Sequence, residues 1–338
     1  MWLIARSFAL LLTFVLTTAA QAAEKLSVGA LTFVSSAPIF IAQDKGYFAA
    51  EGLEVEIKFF QAAQPIAVAV AGGEADLGIT GLTGGFYNLA GKDALKIIAA
   101  QSREEPGYDF ICYLASNKAW EAGLRSVDKL PGHSFGMTQV GSTFHYTLGR
   151  LAEVKGFKLD QVWVKPLQSI PNMVAAIKGG QVDATALPAH IANTLQAAGD
   201  AKVIGWVHET TPWQLGALFA NAKVVETRRP VLVRFMQAYV RACTDYAEAF
   251  HERDASGKRV FGPKAEALIP IIAKYTKAEP AAIRGGAPFI DPQGRLKVQD
   301  IHEQVRWYKA QNLVDPGVDA KAFLDLGFVP QHLDLPKS

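Results

Sequence analysis

Cysteine is scarce: Cys112 and Cys243 are the only two in 338 residues. No disulfide framework can therefore organise the fold, and two thiols so far apart read as buried and free. Charge of one sign is also lacking, with 34 basic and 32 acidic side chains leaving a net +2. Nothing in that balance marks nucleic acid or an anionic membrane surface as a partner. No apolar run reaches bilayer length, since the longest near the N-terminus, Phe8 to Leu16, stops at nine residues. Signatures of catalysis are missing as well. The chain has no Gly-x-Ser-x-Gly elbow, no phosphate loop, no His-Glu-x-x-His and no zinc-spaced cysteine pair. Seven histidines scattered from 133 to 332 do not make a metal set. The expectation is a protein without catalysis, metal or cofactor.

What is present begins with an export pattern. Arg6 precedes the short apolar run, and small residues follow, ending Ala20-Gln21-Ala22. A charged start, a core too short to span and an A-x-A site describe a signal peptide over residues 1–22. With no cysteine at the cleavage point, no lipid anchor is expected. The expected location is the bacterial periplasm, with the mature chain starting near Ala23.

The stretch that organises the rest is Ala71-Gly72-Gly73-Glu74-Ala75-Asp76-Leu77-Gly78-Ile79-Thr80, because it returns as Ile177-Lys178-Gly179-Gly180-Gln181-Val182-Asp183-Ala184-Thr185-Ala186. Each copy is entered by a Pro-led apolar segment, Pro65 to Ala71 and Pro171 to Lys178. Proline near the start and glycine past the end bound a helix. Each copy then runs through a strand-length apolar run to another glycine and a β-rich segment. One helix–Gly-Gly–strand–helix–strand unit thus occurs twice, and two similar α/β lobes imply a cleft between them. The equivalent placement of Asp76 and Asp183 points to a structural role, hydrogen bonding nearby backbone.

Around the repeats, Leu26 to Leu31 reads as a strand. It leads to a helix from Pro38 to Lys45, capped by Ser36 and stopped by Gly46. The alternation of Glu54 to Phe59 marks another strand, and this β-α-β opening favours a parallel sheet covered on both faces. Tyr108 to Ala115 is the expected passage to the second lobe, and Gln214 to Ala220 the return. Beyond Arg229-Pro230 apolar residues recur at helical spacing in Val231 to Phe250, Ala265 to Tyr275 and Val298 to Gln311, a helical tail expected on the first lobe. The divisions are 23–110 with 214–338 for lobe 1, and 111–213 for lobe 2.

The segment Pro38 to Val55, with Asp44-Lys45-Gly46-Tyr47-Phe48 at its centre, resembles the opening of the nitrate/sulfonate/taurine-type substrate-binding proteins of ABC transporters. That family also includes pyrimidine-precursor proteins. Gly141 to Leu148 is similar to the same family's second-lobe helix entry, and Gly179 to Ala184 to its Gly-x-Val-Asp-Ala step. The resemblance covers about Leu26 to Leu187. It implies an α/β, two-lobed type II periplasmic binding-protein fold with two crossover strands and a helical C-terminal segment. It also implies a monomer that closes on a small molecule and presents it to a membrane permease. One departure is Leu187-Pro188, where relatives often carry Trp.

In open α/β sheets ligands sit beyond the C-terminal strand ends. After the first strand Phe33, Ser35 and Ser36 offer a ring and two hydroxyls. Thr80, Gly81 and Leu82 follow the first repeat's strand, and Gln101 follows the next. In the second lobe Ser142 and Thr143 open a helix whose free N–H groups favour an anion, with His145 one turn in. His190 follows the second repeat's strand, and Trp213 stands beside the return. Arg103 is the nearest fixed positive charge, while Phe86, Tyr87 and Phe144 read as core. The ligand expected is a small organic anion, a sulfonate or carboxylate, aromatic ones included. A pyrimidine or other neutral heterocycle, an enzyme like the pyrimidine-precursor synthases, and a ligand-sensing subunit are the alternatives.

Overall fold

The structure is a computed structural model that describes residues 22–335; all but the last residue of the expected leader lies outside that range. The first half-lobe runs β1 (Glu24–Leu31), α1 (Ala37–Asp44), α2 (Tyr47–Ala50), β2 (Leu53–Phe60), α3 (Ala63–Ala71), β3 (Leu77–Gly81), α4 (Gly84–Gly91) and β4 (Leu95–Ala100). The second lobe follows as β5 (Ile111–Ser116), α5 (Asn117–Glu121), β6 (Ser134–Met137), α6 (Thr143–Lys155), β7 (Trp163–Pro166), α7 (Ile170–Lys178), β8 (Ala184–Pro188), α8 (Ala189–Ala197) and β9 (Ala201–Trp206). The chain then returns through β10 (Gly216–Asn221) to α9 (Ala222–Thr227), α10 (Arg229–Phe250), α11 (Pro263–Thr276), α12 (Pro280–Gly285) and α13 (Val298–Ala310).

Two five-stranded sheets result, ordered β2-β1-β3-β10-β4 and β7-β6-β8-β5-β9. They match position for position. In each, three parallel neighbours are followed by an antiparallel strand delivered at a crossing between the lobes: β10, on the return, between β3 and β4, and β5, on the way out, between β8 and β9. Both delivered strands carry a register irregularity, at Leu218/Phe219 and at Tyr113/Leu114. All of β5 and nearly all of β10 is buried. Such continuous apolar runs suit strands covered on both faces, and each fully buried Leu, Ile or Phe contributes roughly 1.5–3 kcal/mol.

The repeated unit is real structure. It is α3-β3-α4-β4 in one lobe and α7-β8-α8-β9 in the other. The second glycine of each Gly-Gly pair is left-handed, Gly73 at φ 81° and Gly180 at φ 64°, a conformation other residues adopt only with strain. Asp76 accepts hydrogen bonds from the Ser27 backbone N–H at 2.7 Å and the Ser27 hydroxyl at 3.0 Å. Asp183 does the same for Ser134, both at 2.8 Å. Each aspartate ties the strand that follows its Gly-Gly turn to that strand's parallel neighbour, β1 in the first sheet and β6 in the second.

The structure corrects local expectations. Ser36 makes no capping bond; it sits inside a 3-10 turn, Val34–Ser36, that precedes α1, and its hydroxyl is buried. The helical tail does not stay on the first lobe. α10 and α11 pack against α1, whereas α12 lies against α8 and α13 lies between α4 and α6. The reason is that the second lobe's helices present apolar and small surfaces at the junction: Trp307 of α13 fits over Gly149 of α6. Cys112 and Cys243 are buried and unbridged.

Candidate functional site: a hydroxyl-lined chamber between the lobes

The C-terminal ends of β1, β3 and β4 face the C-terminal end of β6 and the start of α6. Between them is a cavity of about 30 Å³. Its lobe 1 wall carries Ser35, Thr80, Gly81 and Gln101, its lobe 2 wall Thr138, Thr143 and Thr147. Both connections contribute too, through Phe110, Ile111 and Leu215. Apolar closure comes from Leu31, Phe33, Phe144 and Ile170. No charged side chain lines the chamber among the described residues.

The lobes are in contact around it. Gly84 N–H donates to Gly141 O at 2.8 Å, and Ile170 N–H donates to Gln61 O at 3.1 Å. The Tyr308 hydroxyl donates to Ser142 O at 3.0 Å and lies 3.4 Å from Leu82 O, so it bridges both lobes. Gly81 lets the walls meet, because a Cβ there would lie 2.6 Å from Thr143 Cγ2. This is a closed arrangement.

Polar satisfaction is uneven. The Thr80 hydroxyl and the Gln101 Oε1 are buried without a hydrogen-bond partner, although Gln101 Nε2 reaches Ser35 Oγ at 3.5 Å. An unpaired buried polar group costs about 1–3 kcal/mol, so a guest that pairs these atoms recovers that cost. On the other wall the Thr147 hydroxyl already donates to Thr143 O at 2.9 Å. The first N–H groups of α6 lack intrahelical partners as in any helix, and Ser142 Oγ satisfies only that of His145, at 3.3 Å.

Of the residues expected at the site, Phe33, Ser35, Thr80, Gly81, Gln101 and Thr143 line the chamber. His190 lines a larger groove that opens outward from it. Its ring meets that of Phe33 edge-on across the lobes at 5.4 Å. Burial lowers its pKa to about 4, so the imidazole is neutral at neutral pH. Ser36 and Leu82 are buried behind the wall. Ser142 is spent as the α6 cap. His145 turns inward, Nδ1 accepting from Gly141 N–H at 3.1 Å and the ring edge-on to Trp307 at 5.5 Å. Trp213 packs on Tyr146, centroids 4.6 Å apart.

Arg103 is not at the chamber. It lies 4.0 Å over the Phe289 ring and its Nε meets Glu105 at 2.6 Å. Phe86 and Tyr87 are core, but Phe144 reaches the chamber. Thr138 and Thr147 escaped the reading. The first immediately follows β6, much as Thr80 nears the end of β3, and the second stands four residues, one helical turn, after Thr143. Near the first connection, Glu104 is fully buried, its carboxyl accepting from Ile111 N–H at 3.1 Å, and burial raises its pKa well above the usual carboxylate range.

Sheets, exchanged strands and interlobe chamber together define a two-lobed binding-protein architecture. The profile of the family described as NMT1/THI5 like matches residues 34–250. The chain belongs to that family, which bears out the resemblance read from the sequence. Among solved structures, it is similar to a ligand-binding component of an ABC-type import system from Staphylococcus aureus with zinc bound, at 13% identity and TM-score 0.73 over 92% of this chain and 100% of that one. It is also similar to the alkanesulfonate-binding protein SsuA from Xanthomonas axonopodis bound to MOPS, at 20% identity and TM-score 0.71 over 90% and 99%. A third is the periplasmic nitrate-binding protein NrtA from Synechocystis, at 14% identity and TM-score 0.68 over 89% and 84%. At these identities the likeness is one of fold. No curated protein matches the sequence. No helix among the described residues is long and apolar enough to cross a membrane.

Proposed function

We propose that this protein is the periplasmic solute-binding component of an ABC importer, a monomer that captures a small organic anion, a sulfonate or carboxylate, and hands it to a membrane permease. The observation that carries the reading is a pair of buried, unpartnered polar atoms, the Thr80 hydroxyl and the Gln101 Oε1, facing the first turn of α6 across a closed chamber. A hydroxyl and a reversible amide can both donate to an anionic head, and a helix N-terminus adds its free N–H groups and dipole. A guest touching both walls binds the closed form preferentially, which is what moves an open–closed equilibrium.

A neutral heterocycle is the second reading, favoured by the absence of a charged side chain among the chamber's lining residues. An enzymatic reading has less support: the chamber wall offers hydroxyls but no cysteine, histidine or carboxylate to activate them. Thermal-shift screening of the mature protein against sulfonates, carboxylates, nitrate and pyrimidines tests the proposal. A ligand at a hundred times its Kd stabilises by about 2.7 kcal/mol. Stabilisation by pyrimidines alone replaces the first reading with the second, and turnover of any of them removes both.

A further inference from the structure

The chamber is too small to hold an organic molecule whole. At about 30 Å³ it has room for on the order of two water molecules, enough for a compact head group. Immediately outside lies a groove of about 560 Å³, within the size range of ordinary ligand pockets. The two share Leu31, Phe33 and Ile170, so the groove continues the chamber.

Its walls change character. Phe60 of lobe 1 faces Val174, Ile191 and Leu195 of lobe 2, and the neutral His190 ring stands beside Phe33 at the threshold. The charged lining groups are Lys178, one helical turn from Val174 on α7, with Asp200 and Lys277. Lys178 is paired with Asp200 at 2.7 Å, and Lys277 is an exposed residue just beyond the end of α11.

We infer that the ligand is bipartite: a compact head in the chamber, and an alkyl or aryl body that passes between Phe33 and His190 to lie in the outer groove. The inference rests on the functional reading above and sharpens it. Inorganic anions and one-carbon acids fill only the chamber and leave the apolar groove wet. Because both lobes line the groove, an apolar body adds contacts that exist only when the lobes are closed, and so favours closure as well as binding.

Calorimetry with n-alkanesulfonates from methane- to octanesulfonate, with n-alkanamides of the same lengths in parallel and nitrate as the small-anion control, tests this. Affinity is expected to rise by up to about fourfold per methylene until the groove is filled, giving an octane-to-methane ratio of at least about a hundred. Nitrate is expected to bind no better than methanesulfonate. Val174→Asp puts a charge on the groove wall and is expected to cut the octane-to-methane ratio by about tenfold or more. Ala198→Trp, at an exposed position, narrows the groove without burying a charge, and is expected to lower the same ratio.

Equal affinity across the sulfonate series, or a ratio unmoved by both variants, overturns the body subsite while leaving an anion-binding chamber intact. A length dependence in the amides alone keeps the body subsite and removes the anionic head. No binding by either series overturns both.

Discussion

The two lobes share a sheet order, a Gly-Gly turn and an aspartate clasp, yet their chamber walls differ. Lobe 1 contributes the unpartnered Thr80 hydroxyl and Gln101 Oε1. Lobe 2 contributes threonines, of which Thr147 is already engaged with its own helix. Duplicated architecture has therefore been kept for framework and diverged for chemistry. One wall holds polar atoms without partners, while the other is formed by a helix start.

The largest break in the comparison should come at the contact that joins the lobes away from the chamber. A Cβ on Gly149 would lie 2.0 Å from Trp307 Cζ2, a rigid indole that cannot swing aside cheaply. Gly149→Ala should weaken ligand binding by about ten- to a hundredfold, since overpacking of roughly 1–3 kcal/mol falls on the closed form. Scattering should show a larger radius of gyration at saturating ligand. Unchanged affinity would mean that Trp307 and α6 part without consequence for closure.

Next in size, Asp76→Ala and Asp183→Ala each strip the acceptor from a serine N–H and hydroxyl, and each should cost about 1–3 kcal/mol in urea unfolding. Equal losses would confirm that the clasps are equivalent. The Asp183 carboxyl is held below its ordinary value, burial opposing the shift and the Ser134 bonds and nearby His133 producing it. A folded-state pKa below the unfolded one means its contribution is complete above the ordinary carboxylate pKa and fades as pH falls through the lower folded value. Asp183→Asn should flatten that part of the acid-unfolding curve.

The smallest effect is the most informative about the walls. Thr80→Val removes an open hydroxyl and should lower affinity about fivefold, near 1 kcal/mol, whereas Thr147→Val should lower it less because that hydroxyl already has an acceptor. Calorimetry with a tight-binding sulfonate or carboxylate reads the ratio, and a reversed order would make lobe 2 the recognising wall.

These contrasts also explain what could be read from the chain alone. The repeat, its turns and the aspartates were legible because left-handed glycines and short polar ties are written locally. The strand-end rule found Thr80, Gly81 and Gln101, and applied to β6 it would have found Thr138. It failed at Ser142 and His145 because a residue at a helix start can face the cleft or its own backbone. Here Ser142 Oγ accepts from His145 N–H, and His145 Nδ1 accepts from Gly141 N–H. Phe144 read as core because apolar character does not distinguish a cavity wall from an interior. The reach of α12 and α13 onto the second lobe depends on packing between segments more than eighty residues apart, which no local pattern encodes.

The returning strand β10 sets an order on folding. Residues 111–206 supply every strand of the second sheet, so that half can mature as soon as its own stretch is available. The first sheet cannot, since among the strands of that sheet β4 pairs only with β10, which arrives more than a hundred residues later. As the chain becomes available from its N-terminus, the leading half therefore waits, with one strand unmoored, for the stretch beyond the second lobe to arrive.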